Sequence, residues 1–278
     1  MKMASWSFLI AVILGPAASG TVKAADAETS DQGLATELAN PIASLISVPI
    51  QVNYTRGIGT ANGDQWTTNI QPVIPFDLND DWSLVTRTIL PVISQSDVAG
   101  LSGDQIGLGD TLQSFFFVPT PAATDLGTVT WGAGPAVTWP TSTDKLLGAG
   151  TWGLGPTAVA LVQKKIGTGN LTWGGLANHQ WGLKKTRSAA ADLNYTFVQP
   201  FVSYTTADAW TYSLNSESLY NWTSDDWTVP INVTVAKFVH FGELPVQLTG
   251  GVGYFATSPD SGPEGWKGRF VITFLLPK

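Results

Sequence analysis

The feature that most constrains this chain is an alternation with a period of two. From Ile46 to Tyr54, Ile46, Val48, Ile50, Val52 and Tyr54 fall on one side while Ser47, Pro49, Gln51 and Asn53 fall on the other. Successive side chains of a strand point to opposite faces, so the pattern encodes a strand with one apolar and one polar face. It recurs from Trp66 to Leu78, where Trp66, Ile70, Pro72, Ile74, Phe76 and Leu78 oppose Thr67, Asn69, Gln71 and Asp77. From Trp82 to Ile93, Trp82, Leu84, Leu90 and Val92 share a face and Arg87 lies on the other with Ser83 and Val85. Later, Trp227, Val229, Ile231, Val233 and Val235 oppose Thr228, Pro230, Asn232, Thr234 and Ala236, and Leu244, Val246, Leu248, Val252 and Tyr254 follow. At the end, Trp266, Phe270, Ile272, Phe274 and Leu276 oppose Lys267, Arg269 and Thr273.

Such segments have about the 9–11 residues that a tilted strand needs to cross a bilayer. Similar lengths run from Ile106 to Val118, Val129 to Trp139, Trp152 to Gln163, Leu171 to Trp181, Asn194 to Tyr204 and Trp210 to Trp222, with faces blurred by glycine. Beyond the N-terminal leader no apolar run approaches the ~20 residues of a spanning helix. A mature chain that crosses a membrane therefore does so as a closed barrel, because an open sheet would leave edge amides unpaired in hydrocarbon. Charged residues make up 13% of the chain, about half the usual share of a soluble domain. Much of the surface is thus expected to face something other than water. The expected fold is all-β, a transmembrane antiparallel β-barrel of about twelve strands, an even number as bacterial barrels prefer.

Tryptophans support this reading. Trp66, Trp82, Trp139, Trp152, Trp181, Trp210, Trp227 and Trp266 fall at or near predicted strand ends, where an indole keeps its ring in the apolar band and its N–H among headgroups. A soluble β-sandwich with a tryptophan core is the alternative, and it gives no reason for that placement. Joins near Asn79, Lys164, Thr205 and His240 are short, and those after Tyr54, Ile93, Pro140, Gly182 and Ala256 are longer. Short periplasmic turns and long external loops then put both termini on the periplasmic side. The join near Thr120 is too long for this scheme and the one near Asp225 too short.

The N-terminal residues Met1-Lys2-Met3, a short apolar run and small residues up to Ala24 have the form of a cleaved secretory signal. We expect a signal peptide over 1–24, with cleavage after Ala24 or Ala27, an N-terminal periplasmic or plug segment over 25–44, and the outer-membrane barrel over 45–278. In the second of these Leu34, Leu38, Ile42 and Leu45 recur at helical spacing until Pro41 interrupts, which predicts a short helical segment. Lys and Arg number 14 against 21 Asp and Glu, and Lys2 and Lys23 leave with the leader. An acidic mature chain disfavours a nucleic-acid partner. There is no cysteine, so neither disulfides nor thiolate metal ligands are available.

Little catalytic material is present. The histidines are His179 and His240; His179 is the sole candidate base for a barrel-embedded lipid hydrolase, and no nucleophile motif surrounds it. His240 falls in a predicted turn. Gly148 to Gly153 lacks the strand–turn–helix context of a nucleotide loop, and the pairs Asp80-Asp81 and Asp225-Asp226 are typical of solvated turns rather than calcium sites. The sequence thus predicts no enzyme, no catalytic or metal-binding residue and no cofactor. What remains is the inner face: Arg87, Glu217 and Arg269 with Gln51, Asn53, Asn69, Gln71 and Asn178 are the candidate lumen-lining residues. An arginine at mid-strand depth is costly facing lipid, and opposed charges across a narrow pore either knit the barrel together or set its selectivity.

Several motifs in order resemble a known group: Leu38-Ala39-Asn40-Pro41-Ile42-Ala43-Ser44-Leu45-Ile46-Ser47-Val48-Pro49, Ile70-Gln71-Pro72-Val73-Ile74-Pro75-Phe76, Gly107-Leu108-Gly109-Asp110, Trp152-Gly153-Leu154-Gly155-Pro156, Gln199-Pro200-Phe201-Val202-Ser203-Tyr204, Trp227-Thr228-Val229-Pro230 and Phe274-Leu275-Leu276-Pro277. The set resembles outer-membrane transporters labelled for the MetA pathway of phenol degradation, a group related to FapF-type channels. That resemblance implies a twelve-stranded barrel of the Gram-negative outer membrane whose N-terminal segment plugs the lumen. It also implies passive passage of small solutes, hydrophobic or aromatic ones among them. Outer-membrane lipid, the solute, periplasmic chaperones and the barrel-assembly machinery are the partners expected. Lys278 after Pro277 departs from the usual terminal aromatic, which shifts recognition by that machinery to Phe270, Ile272 and Phe274. The competing expectation is a structural or adhesive barrel with a filled lumen and no transport.

Overall fold

The computed structural model describes residues 30–188 and 190–277; the expected leader and its cleavage sites lie outside the described residues. A helix, α1 (Asp31–Glu37), precedes the strands β1 (Ile46–Ile58), β2 (Gly63–Ile70), β3 (Val73–Asp77), β4 (Trp82–Ser96), β5 (Asp104–Leu108), β6 (Thr111–Pro119), β7 (Ala122–Thr124) and β8 (Gly127–Trp139). They are followed by β9 (Thr151–Ile166), β10 (Gly169–Lys185), β11 (Asn194–Thr205), β12 (Trp210–Ser216), β13 (Ser218–Asn221), β14 (Asp226–Phe241), β15 (Leu244–Thr257) and β16 (Gly265–Leu276). The wall has twelve antiparallel strands, because β3 continues the line of β2, β5 and β7 that of β6, and β13 that of β12. The first and last strands close it, in register from Ile46 opposite Leu276 to Thr55 opposite Lys267. Closure pairs the amides that an open sheet would expose.

Breaks within a line have local causes. Pro72, between β2 and β3, has no N–H to donate to a ladder, but its carbonyl accepts from Thr88 N at 3.1 Å and Gln71 N reaches Pro49 O at 2.9 Å, so the line stays attached. Glu217 alone separates β12 from β13.

The predicted faces are the observed ones. Trp66, Phe76, Trp82, Val92, Val233, Val252, Trp266 and Phe270 are exposed on the outside. Aromatic pairs gather there near the end away from the termini, here the distal end: Tyr54 with Trp66 at 4.6 Å, Trp139 with Trp152 at 5.0 Å, Tyr220 with Trp227 at 4.9 Å and Tyr254 with Trp266 at 5.2 Å between ring centroids. A sparser set, with Trp82 edge-on to Trp131 at 6.1 Å, marks the proximal end.

Both joins that broke the length rule now have an explanation. The chain after Thr120 forms a hairpin extension, with Ala122 opposite Val129 and Thr124 opposite Gly127, so the proximal connection is a tight turn on a strand that projects beyond the wall. At the distal end, residues 222–225 turn sharply. Asn221 Oδ1 accepts from the backbone N–H groups of Thr223 and Ser224 at 2.9 and 3.3 Å, and the Tyr220 hydroxyl donates to the Asp225 carboxylate.

The N-terminal segment packs against inward-facing wall residues in the proximal half of the barrel. Ser30 caps α1, its hydroxyl accepting from Gly33 N at 3.1 Å, as an N-cap serine does. The helix ends at Glu37, before Pro41, and the chain then turns, with Asn40 Oδ1 accepting from Ile42 N at 3.0 Å. Ile42, 2% exposed, packs with Val73, Val85, Phe116, Val118, Val159, Leu161 and Leu176. Ala35, with Leu34, Leu38 and Leu45, packs against Ala209, Phe238 and Leu275. The apolar core of this protein therefore forms between the N-terminal segment and the inside of the wall.

Candidate functional site

Above that core lies a chamber of about 510 Å³. The structure places all eight candidate residues, Gln51, Asn53, Asn69, Gln71, Arg87, Asn178, Glu217 and Arg269, on its wall. A second cavity of about 250 Å³ runs between the wall and Leu38–Ala43 of the N-terminal segment, and Gln51, Gln71, Arg87, Gln199, Asn215 and Thr234 border both.

One carboxylate organises the chamber. Glu217 accepts from both terminal nitrogens of Arg269, at 2.8 Å to Oε1 and 2.6 Å to Oε2, and Lys267 Nζ lies 3.4 Å from Oε2. Arg269 Nε donates to Asn53 Oδ1 at 2.8 Å. A two-pronged arginine–carboxylate pair fixes orientation as well as charge. The pair spans from β16 across β15 and β14 to the junction of β12 and β13, and a glycine makes room for Lys267 to approach the same carboxylate. A Cβ on Gly253 would lie 2.4 Å from Asn232 Oδ1 and 2.7 Å from Lys267 Cε, so the Lys267 chain lies across β15 only because that position has no side chain. Arg87, from β4, donates to Gln71 Oε1 at 3.0 Å.

Lys267 was missing from the residues singled out in the sequence, although it has the same parity as Arg269 and carried the same signal. Tyr195, Phe197, Gln199 and Asn215 also line the chamber. They sit on strands whose faces the sequence left blurred.

The distal mouth is narrowed by the loop 140–150, which folds onto the inward face of β4 and β5. Gln95 Nε2 donates to Leu146 O at 3.1 Å, Thr143 and Leu108 exchange bonds of 3.0 and 3.1 Å, and Leu147 is 4% exposed. Asp110 accepts from the N–H groups of Ser142 at 3.1 Å and Gly150 at 2.9 Å. Arg187 donates to Gly148 O at 2.8 Å, to Asp144 O and Ser142 Oγ at 3.2 Å and to Ser142 O at 3.4 Å.

Neither histidine faces the chamber. His179 sits on the outside, its ring 4.2 Å from that of Trp181 and its Nδ1 2.8 Å from Thr196 Oγ1, which also accepts from Trp222 Nε1 at 2.8 Å. His240, expected in a turn, lies within β14, one residue before its end at Phe241, with Nε2 3.7 Å from Asp31 Oδ1 of α1. Among the described residues no group of three or more His, Asp or Glu is placed to hold a metal ion.

Set beside solved structures, this barrel aligns with an outer membrane channel from Pseudomonas putida F1 at a TM-score of 0.61 and 15% identity, over 84% of this chain and 96% of that one. The fold is that of an outer-membrane β-barrel. No family model and no curated protein matches the sequence. Outer membrane phospholipases align as well: the calcium-bound dimer from Salmonella typhi at a TM-score of 0.46 and 10% identity, over 90% of this chain and 98% of that one, and phospholipase A from Escherichia coli at 0.43 and 11%, over 82% and 96%. These alignments correct the expectation that the chain is no enzyme. With phospholipases among the barrels that align, the fold gives no ground for excluding catalysis, and TM-scores below 0.5 give none for assigning it.

Proposed function

We propose that this barrel is a passive channel of the outer membrane for small solutes, hydrophobic or aromatic ones among them, with residues 25–44 as a partial plug and residues 1–24 as the export signal. The observation that carries the reading is the chamber: a barrel that served only as a rigid post would fill its interior with side chains, whereas this one holds about 510 Å³ bordered by charged, polar and apolar groups. The proximal end then faces the periplasm and the distal loops face outward. The MetA-pathway transporter resemblance supports the solute class, and the aligned Pseudomonas putida channel supports the architecture. Export through the periplasm brings in chaperones and the barrel-assembly machinery as partners.

A second reading, a structural or adhesive barrel without transport, is favoured by one feature: Ile42 and its apolar neighbours fill the proximal lumen. Planar bilayers distinguish the two. The channel reading expects ion conductance from the full chain or from one lacking residues 25–44; silence from both would rule it out. Bulk flow through the shortened form would rule out the filled barrel.

A further inference from the structure

We infer that the chamber selects small organic anions, an apolar body bearing one carboxylate, and that Arg87 is the subsite that takes the carboxylate. The inference rests on the channel reading and names a solute class for it.

Charge is the first ground. The ionised side chains bordering the chamber are Arg87, Lys267 and Arg269 against Glu217 alone. Glu217 is already engaged at both oxygens by Arg269, with Lys267 on one of them. Arg87 pairs with no carboxylate among the described residues, and its hydrogen bond to Gln71 uses one of five guanidinium donors. A cation withdrawn from bulk water with no carboxylate in direct contact, Glu217 acting on it only across the chamber, is incompletely compensated. An incoming carboxylate relieves that, and the planar donor fork of arginine matches the two oxygens of a carboxylate.

The surroundings are the second ground. On the same inward face of β4, Val85 and Ile89 stand on either side of Arg87, and Ile89 pairs across to Leu112 of β6. Leu112, Leu176 and Phe197 border the same chamber. A charged head group at Arg87 thus has apolar wall beside it for a hydrocarbon or aromatic body. A neutral solute of the same shape gains the apolar contact but leaves the guanidinium unpaired. An ammonium meets three positive charges against one carboxylate that Arg269 and Lys267 already engage, a net repulsion that adds to the discrimination.

Position is the third ground. Arg87 borders both cavities, so a solute moving from the chamber toward the N-terminal segment passes it.

The test uses the purified full chain in a non-ionic detergent, titrated calorimetrically with benzoate, benzyl alcohol and benzylammonium. Benzoate is expected to bind roughly tenfold or more tightly than benzyl alcohol, the scale of a charged hydrogen bond, and benzylammonium not measurably. Arg87→Gln should erase the preference by weakening benzoate far more than benzyl alcohol, and Arg87→Lys should keep part of it. The altered mobility of the unheated barrel on a detergent gel verifies that each variant is folded. Equal affinity for benzoate and benzyl alcohol, or a preference that survives Arg87→Gln, overturns the assignment. Reversal potentials under a salt gradient separate the two claims. A chain that binds benzoate through Arg87 but never conducts overturns the channel and leaves the subsite. A chain that conducts without anion preference and ignores benzoate keeps the channel and overturns the subsite.

Discussion

At the proximal end the lumen is occupied by Ile42, Leu34, Leu38 and Leu45 against Val85, Phe116, Leu161, Phe238 and Leu275, whereas at the distal end the loop 140–150 is held by Asp110, Gln95 and Arg187 through directional hydrogen bonds. Among the described residues, polar contacts of the N-terminal segment with the wall include Gln163 and Asn170 to Thr36 at 3.0 and 3.2 Å, Gln32 to Thr168 O at 2.7 Å and His240 to Asp31 at 3.7 Å, beside the broad apolar contact. Apolar contact is non-directional and scales with area, so it tolerates sliding and re-seating. A guanidinium spread over four oxygens does not. The contrast marks the N-terminal segment as the movable closure and the distal loop as the fixed one.

That contrast can be broken in order of expected effect. Deleting residues 25–44 should produce the largest change, a several-fold step in unitary conductance in planar bilayers; an unchanged step would mean that the segment obstructs nothing. Ile42→Asp comes next, because it puts a carboxylate into a pocket of seven apolar side chains and should weaken docking of the segment by about 3–5 kcal/mol. Faster hydrogen exchange over 31–44, with the wall strands unchanged, is the expected signature.

Arg187→Ala should cost the distal loop about 1–3 kcal/mol, since carbonyls of Ser142, Asp144 and Gly148 lose their donor. Protease cleavage within 140–150 and current flicker should rise without a change in mean conductance. If mean conductance rises as much as in the deletion, the assignment of fixed and movable ends is reversed. The smallest effect is expected from Gln163→Leu, which removes one bond to Thr36 and should shift exchange of the segment by about 0.5–1.5 kcal/mol.

The wall was legible because lipid imposes its rule on every second residue: Ile46 to Tyr54 or Trp227 to Val235 can be assigned to faces by parity alone. Arg87 and Arg269 were legible for the same reason, and Lys267 equally so. Glu217 was less so, since it stands between β12 and β13, where parity loses its reference. What it pairs with was not legible at all: the meeting of Glu217 with Arg269 depends on the stagger of four strands, and the approach of Lys267 to the same carboxylate on a missing side chain at Gly253. The N-terminal segment was half legible. Its apolar spacing was visible, but Ile42 lies beyond the end of α1 and reaches Phe116 from a turn. The distal loop carries no periodicity, and the Arg187 clamp depends on contacts with residues some forty positions earlier in sequence.

The pairing of β1 with β16 makes the last strand a latch for the first. The cylinder cannot shut until the residues from Gly265 to Leu276 have been supplied, so a chain stopped short of them would present two raw ladders to hydrocarbon instead of forming a smaller tube. The same seam makes the order of strands around the ring indifferent to where the polypeptide starts. Tethering the two ends and cutting the backbone at the turn 222–225 would yield the same cylinder, sewn from a different stitch.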